Sequence, residues 1–243
     1  MRFQDASPDA RAVVYAGIQA DPLVARAAVL LADATPAQRV LARAVMNGMS
    51  TGPSAWQAMF PTLFGPGAPV AGAERERSEA VLAASLEVAE RGEQVRSQVR
   101  GAIVESVTEL LVRRRSGAAG VATGVAPGVA PGGAAAAVRR ERRILFDGVR
   151  AEIHPYDVTV ETPGAAEAID CKWGARGINA DVLHQLDDAR TRADDEDERL
   201  RVGLVVFDAA LSCRVRLDRQ TAPWTGTELV TLETLDRLAQ APP

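Results

Sequence analysis

The octapeptide Ala166-Glu167-Ala168-Ile169-Asp170-Cys171-Lys172-Trp173 decides how the second half of this 243-residue chain is read. As a strand, it projects Asp170 and Lys172 from one face, and Ile169 and Cys171 from the other. Thr162-Pro163-Gly164 just before it is a turn signal, and Asp157 to Glu161 ahead of the turn is rich in strand formers. The turn makes the two strands antiparallel neighbours and lets Asp157 and Asp170 converge. Two carboxylates flanked by apolar strand residues are costly to bury unless they share a cation. A divalent ion with oxygen ligands relieves that cost, and Mg²⁺ suits a site of one or two carboxylates open to a substrate phosphate. A lysine beside such an ion can stabilise hydroxide or the charge on a phosphoryl transition state.

Further strand signals surround this pair. Arg142 to Phe146 and Val149 to Ile153 flank Asp147-Gly148, a strong two-residue hairpin turn. Downstream, Asn179 is placed to cap a helix running to about Arg199, with Val182, Leu186, Ala189 and Ala193 on one face. Strands are expected at Val202 to Phe207, at Cys213 to Leu217 and near Leu229 to Leu232, and a last helix at Leu235 to Gln240. Asp194 to Glu198, five acids in a row, reads as a solvated helix end. This alternation of helices and strands fits one α/β layered domain with a mixed sheet.

Residues 1 to about 99 read as helical throughout. Ser7-Pro8 and Thr35-Pro36 are N-cap and first-turn pairs, and Gln38 completes a capping box with Thr35. Gly48 to Gly72 interrupts the pattern, and its Trp56, Met59, Phe60 and Phe64 are expected to tuck a short helix against the bundle. A helical pattern resumes at Ala73 and extends toward Arg115. Residues 1–99 contain no His and no Cys, which marks them as a packing or partner-binding unit. Residues 116–138 carry VAPG twice in tandem and read as a flexible Gly/Ala/Pro-rich insertion. Arginine clusters flank it, Arg113 to Arg115 on one side and Arg139, Arg140, Arg142 and Arg143 on the other.

Composition narrows the function classes. No run of 18 apolar residues is present, so no membrane-spanning helix is expected, and no apolar stretch follows Met1 to suggest a secretory signal. A cytoplasmic protein is the expectation. Cys171 and Cys213 are too few for a disulfide scaffold and lack metal-site spacing. The net charge is -4, so any contact with nucleic acid must come from local basic patches. Of the 28 basic residues, 27 are Arg and one is Lys172. Arg and Lys exchange freely on solvated surfaces but not where a compact ammonium on a flexible stem is required. The sole lysine falls on the strand that already carries Asp170.

Asp157 followed by Asp170-Cys171-Lys172 resembles the catalytic motif of the PD-(D/E)xK nuclease superfamily, the restriction-endonuclease-like fold. Arg100-Gly101-Ala102-Ile103-Val104-Glu105 with Leu110-Leu111 resembles the first helix of that core, which often supplies a glutamate. Leu183-His184-Gln185-Leu186 resembles the helix after the lysine strand, which in Mrr-like restriction nucleases often presents a glutamine, and Cys171-Lys172-Trp173-Gly174 is also Mrr-like. The family's proline stands here two residues before the first acid, at Pro155. The resemblance covers about residues 98–217. It implies an α/β fold with an αβββαβ core and a mixed central sheet, preceded by an all-α N-terminal region. The implied organisation is a helical region at 1–97 and a nuclease-like domain at 98–243.

The function implied is Mg²⁺- or Mn²⁺-dependent hydrolysis of phosphodiester bonds in nucleic acid, by a DNA endonuclease of the kind found in restriction or phage defence. Glu105, Asp157, Asp170 and the Cys171 carbonyl are the implied metal ligands, with Glu109, one turn on along the same helix face, the alternative helix acid. Lys172 would position and activate the attacking water, and Gln185 would orient substrate or a metal-bound water. The arginine clusters are candidate phosphate contacts. A homodimer or a protein partner through the N-terminal helices is an accompanying expectation. Two rival readings stand beside it: an interaction protein that keeps the fold without catalysis, and an RNA nuclease or junction resolvase with the same site.

Overall fold

The computed structural model describes residues 1–6, 10–48, 52–66, 72–117, 136–150 and 154–240. The chain divides into two units, Asp9–Val107 and a second built from Met1–Pro8 with Thr108–Pro243. In chain order, strand β1 (Arg2–Asp5) precedes helices α1 (Ala10–Gln19), α2 (Pro22–Ala32), α3 (Pro36–Asn47), α4 (Pro53–Met59) and α5 (Pro61–Phe64). Helices α6 (Ala73–Ala89) and α7 (Glu93–Arg115) follow, and the division between units falls inside α7.

Within the helical unit α2 and α3 pack on α6 through Val24, Leu31, Leu41, Val45, Val81 and Val88, all buried. The α3 capping box forms as the sequence predicts, with Thr35 Oγ1 accepting from Gln38 N–H and Gln38 Oε1 accepting from Thr35 N–H. Trp56, Leu63 and Phe64 of the Gly/Pro-rich stretch are buried, whereas Met59 is exposed. The helical pattern from Ala73 breaks at Glu90-Arg91-Gly92 into two helices. The Ser7-Pro8 pair lies outside the described residues.

The α/β unit holds a mixed sheet. Its strands after β1 are β2 (Ala137–Phe146), β3 (Val149–Arg150), β4 (Tyr156–Thr162), β5 (Ala165–Lys172), β6 (Leu200–Val206) and β7 (Thr227–Thr231). They run in the order β1-β2-β4-β5-β6-β7, with β3 paired to β2. Pairs up to β4–β5 are antiparallel, and β5–β6 and β6–β7 are parallel. Helix α8 (Ala180–Asp195) makes the crossover from β5 to β6, and α9 (Ala210–Leu217) follows β6.

Local chemistry explains the main joints. Asp147 and Gly148 both take positive φ, at 49° and 77°, which is the geometry of a type I′ hairpin turn. Gly164, at φ 78°, closes the β4–β5 hairpin with Thr162 opposite Ala165. Asn179 caps α8 by accepting from Val182 N–H at 3.0 Å. Leu183, Leu186, Ala189 and Ala193 then lie buried on the sheet against Ala168, Val202, Leu204 and Val206. Each fully buried leucine of that face contributes about 1.5–3 kcal/mol.

Five expectations are corrected. The N-terminal region is not all α, because Arg2–Asp5 pairs with Arg142–Leu145 as an edge strand. Cys213 to Leu217 is helix, not strand: Cys213 and Leu217, four residues apart, are buried, while Leu211 and Val215 are exposed. The 116–138 stretch is shorter as a connection than expected, since β2 begins at Ala137; residues 118–135 lie outside the described residues, as do 151–153 of the expected Val149 to Ile153 strand. The acidic run at the end of α8 is not wholly solvated, because Glu196 and Glu198 accept from the Met1 ammonium at 3.1 and 2.8 Å. The closing helix is a 3-10 segment, Leu235–Ala239. Among the described residues no single helix is long and apolar enough to cross a membrane.

Candidate metal and catalytic site

The β4–β5 ladder ends at Val158 opposite Ile169. One residue further on, the register sets Asp157 beside Asp170, and there side chains replace the backbone partner. Cys171 N–H donates to Asp157 Oδ2 at 2.6 Å and to Asp170 Oδ1 at 3.1 Å. The strands part at the point where the two acids meet, so the amide that would continue the ladder serves the carboxylates. Charge-assisted bonds of this kind are about twice as strong as neutral ones.

Lys172 completes the cluster from the same face of β5. Its Nζ donates to Asp170 Oδ1 at 2.6 Å, with 26% of the lysine side chain exposed and 9% of the aspartate. Burial opposes its charge, but the carboxylates of Asp170 and then Asp157 outweigh that and hold the ammonium's pKa above the ordinary lysine value. Among the described residues no hydrogen bond reaches Asp170 Oδ2. On the opposite face Cys171 is buried, its thiol donating to Thr108 Oγ1 of α7 at 3.5 Å.

The stem of Lys172 lies on a 3-10 turn, Ala175–Gly177, that follows β5. A Cβ at Gly177 would stand 2.9–3.0 Å from Cβ, Cγ and Cδ of the lysine, so a side chain there would have to displace the stem. Trp173 stacks on Phe207 of the segment after β6, with ring centroids 5.1 Å apart. Asp208, which no spacing or periodicity singles out in the sequence, is buried beside this turn and accepts from Ala175 N–H at 2.9 Å.

The remaining sequence-derived candidates have other partners. Glu105 sits in the helical unit, where Tyr15 Oη donates to one of its oxygens at 2.5 Å and Gln19 Nε2 to the other at 2.8 Å. Gln185 faces the backbone of His154 on both sides, accepting from its N–H at 3.2 Å and donating to its carbonyl at 3.1 Å. That amide ties α8 to the start of β4 and so helps fix Asp157. Glu109, the next acid along α7, is shared by Arg113 and Arg140. Arg115 pairs with Glu167, and Arg142 lies against Asp5 and Glu161. Much of the basic charge beside the connection is therefore spent inside the fold. His184 is exposed.

Among the described residues no group of three or more His, Cys, Asp or Glu side chains is arranged to hold a metal ion. The oxygen donors that the structure brings together are the carboxylates of Asp157 and Asp170, which share the Cys171 amide. Both are hard donors, the kind that Mg²⁺ accepts while keeping several waters. The donor set thus fits such an ion by chemistry. No family model, no curated protein and no solved structure matches the chain.

Proposed function

We propose that this chain hydrolyses phosphodiester bonds in nucleic acid with a divalent metal, and that it acts as a DNA endonuclease. The observation that carries the reading is the convergence of Asp157 and Asp170 on one amide, with the chain's only lysine on Asp170. The order α7–β2–β4–β5–α8–β6 supports it, because a restriction-endonuclease-like core implies αβββαβ. Asp157, Asp170 and the Cys171 carbonyl would hold Mg²⁺ or Mn²⁺, which when bound supplies Lewis acidity and an acidified water. Lys172 brings three N–H donors to the edge of the two carboxylates, where they can stabilise charge developing on a phosphoryl oxygen. Glu105 and Gln185 are not needed for this set.

One observation favours a second reading. Glu105 and Gln185 are both committed to other partners, which suits an interaction protein that keeps the fold without catalysis. The deciding experiment incubates purified protein with supercoiled plasmid, linear DNA and RNA, in Mg²⁺, in Mn²⁺ and in EDTA. Plasmid nicking or linearisation that needs metal and disappears in Asp170→Asn is expected. No cleavage of any substrate in either metal would leave the interaction reading. Cleavage of RNA alone would reassign the substrate.

A further inference from the structure

We propose that Asp208 and Gly177 form a clamp that positions Lys172. Lys172 and Asp208 are not joined directly; the turn after β5 connects them. Asp208 Oδ2 accepts from Ala175 N–H at 2.9 Å, and its Oδ1 accepts from Ala209 N–H at 2.8 Å. One buried carboxylate therefore joins the turn to the start of α9. The turn's other end is held as well, since Arg216 Nε of α9 donates to the Ile178 carbonyl at 2.8 Å. Between these two anchors lies Gly177, with the lysine stem against its bare α-carbon. The main chain is fixed from the same side, because Phe207 N–H donates to the Lys172 carbonyl at 2.9 Å.

This arrangement removes freedom from a side chain that would otherwise have much of it. A lysine stem is among the side chains with most rotamer freedom to lose. With Gly177 against one side of the stem, Nζ has few places to reach other than Asp170 Oδ1. A buried carboxylate is costly unless its oxygens are hydrogen-bonded, and Asp208 places both of them on backbone amides flanking the site. The clamp stands on these contacts whatever the reaction is. Its consequence for a cleavage rate rests on the nuclease reading.

The chain's single lysine makes the test direct. Acetylation by a water-soluble acylating reagent, followed at the Lys172 peptide by mass spectrometry, reports how firmly Nζ is held. Gly177→Ala places a methyl against the flexible stem and should leave the fold intact. Asp208→Asn keeps the volume and removes one acceptor. Both variants, checked for a native melting transition, should acetylate at least about fivefold faster than wild type, the equivalent of one ordinary hydrogen bond lost. The ¹⁵N-lysine spectrum, which holds one side-chain signal, should shift in both. Folded variants with wild-type acetylation and an unmoved lysine signal would overturn the clamp and leave Asp208 as a loop brace. Should Asp208→Asn fail to fold, Gly177→Ala decides alone. A wild-type protein that cleaves nothing would defeat the nuclease reading while these two readouts still judge the clamp. Where cleavage is present, both variants should slow it by up to about a hundredfold, as small misplacements of a reacting group do.

Discussion

Asp157 of β4 and Asp170 of β5 accept from the same amide, Cys171 N–H, at 2.6 and 3.1 Å. Two anionic oxygens on one nitrogen repel each other, and in this structure the Lys172 ammonium on Asp170 offsets part of that repulsion. A divalent ion would offset more. Calorimetric titration of Mn²⁺ should therefore show binding to wild type, and Asp170→Asn should weaken it at least about tenfold, the lower end of what even outer-sphere partners cost. Equal binding by both proteins would remove the metal site.

The cluster was legible because it depends on short-range rules. Alternation along β5 puts Asp170 and Lys172 on one face, and a tight turn at Gly164 puts Asp157 within reach. The Asp147-Gly148 turn and the Asn179 cap were readable for the same reason: a few adjacent residues determine them. What was not legible is non-local. Strand β1 has four residues and gains its partners from β2, far along the chain. The α9 segment, Cys213-Arg214-Val215-Arg216-Leu217, alternates like a strand, yet its Cys213 and Leu217 also share a helical face. Burial on the sheet selects the second pattern. Asp208 follows an apolar strand with no motif around it, and its contact with Ala175 exists only after β6 has paired with β5.

Asp21 gives a pH-dependent test in the helical unit. It caps α2 through Leu23 N–H at 2.8 Å and pairs with Arg91 at 2.6 Å, next to the break between α6 and α7. Burial works against the carboxylate's charge, but the Leu23 amide and the Arg91 guanidinium prevail and set its pKa below 3.8. A depressed carboxylate contributes stability above its unfolded value and loses it as pH falls through the folded one. Asp21→Asn keeps the cap and drops the charge. It should lower stability by about 1 kcal/mol or less near neutral pH, as befits a partly exposed pair. The difference from wild type should close below pH 3.8. Thermal melts of both proteins across that range check it, and a constant gap would disprove the linkage.

The hairpin turn offers a backbone test. Gly148 lies at φ 77°, where a side chain meets the carbonyl. Gly148→Ala should destabilise the α/β unit by about 1–2 kcal/mol, the cost of a left-handed conformation for an L-residue. Denaturant unfolding of the two proteins measures it. An unchanged midpoint would mean that the loop relaxes to another turn type.

Lys172→Arg is the sharpest test of the chemistry. The chain uses arginine at every other basic position, so a site that needed only positive charge would accept it. The stem of Lys172 runs along Gly177 and its Nζ reaches Asp170 Oδ1 at 2.6 Å in a space shaped for a slender chain. A guanidinium is planar, wider and longer, and it would pair with the carboxylate side-on instead of ending there as a point charge. The variant should fold, keep Mn²⁺ binding within a few-fold and retain nucleic-acid binding. Its single-turnover cleavage should fall about a hundredfold or more, the scale of losing one transition-state donor. Lys172→Ala run in parallel separates misplacement from loss: an Arg variant as slow as the Ala variant locates the requirement in the ammonium's position. Near-wild-type cutting by Lys172→Arg would mean that any cation suffices there, and the argument from the lone lysine would fail.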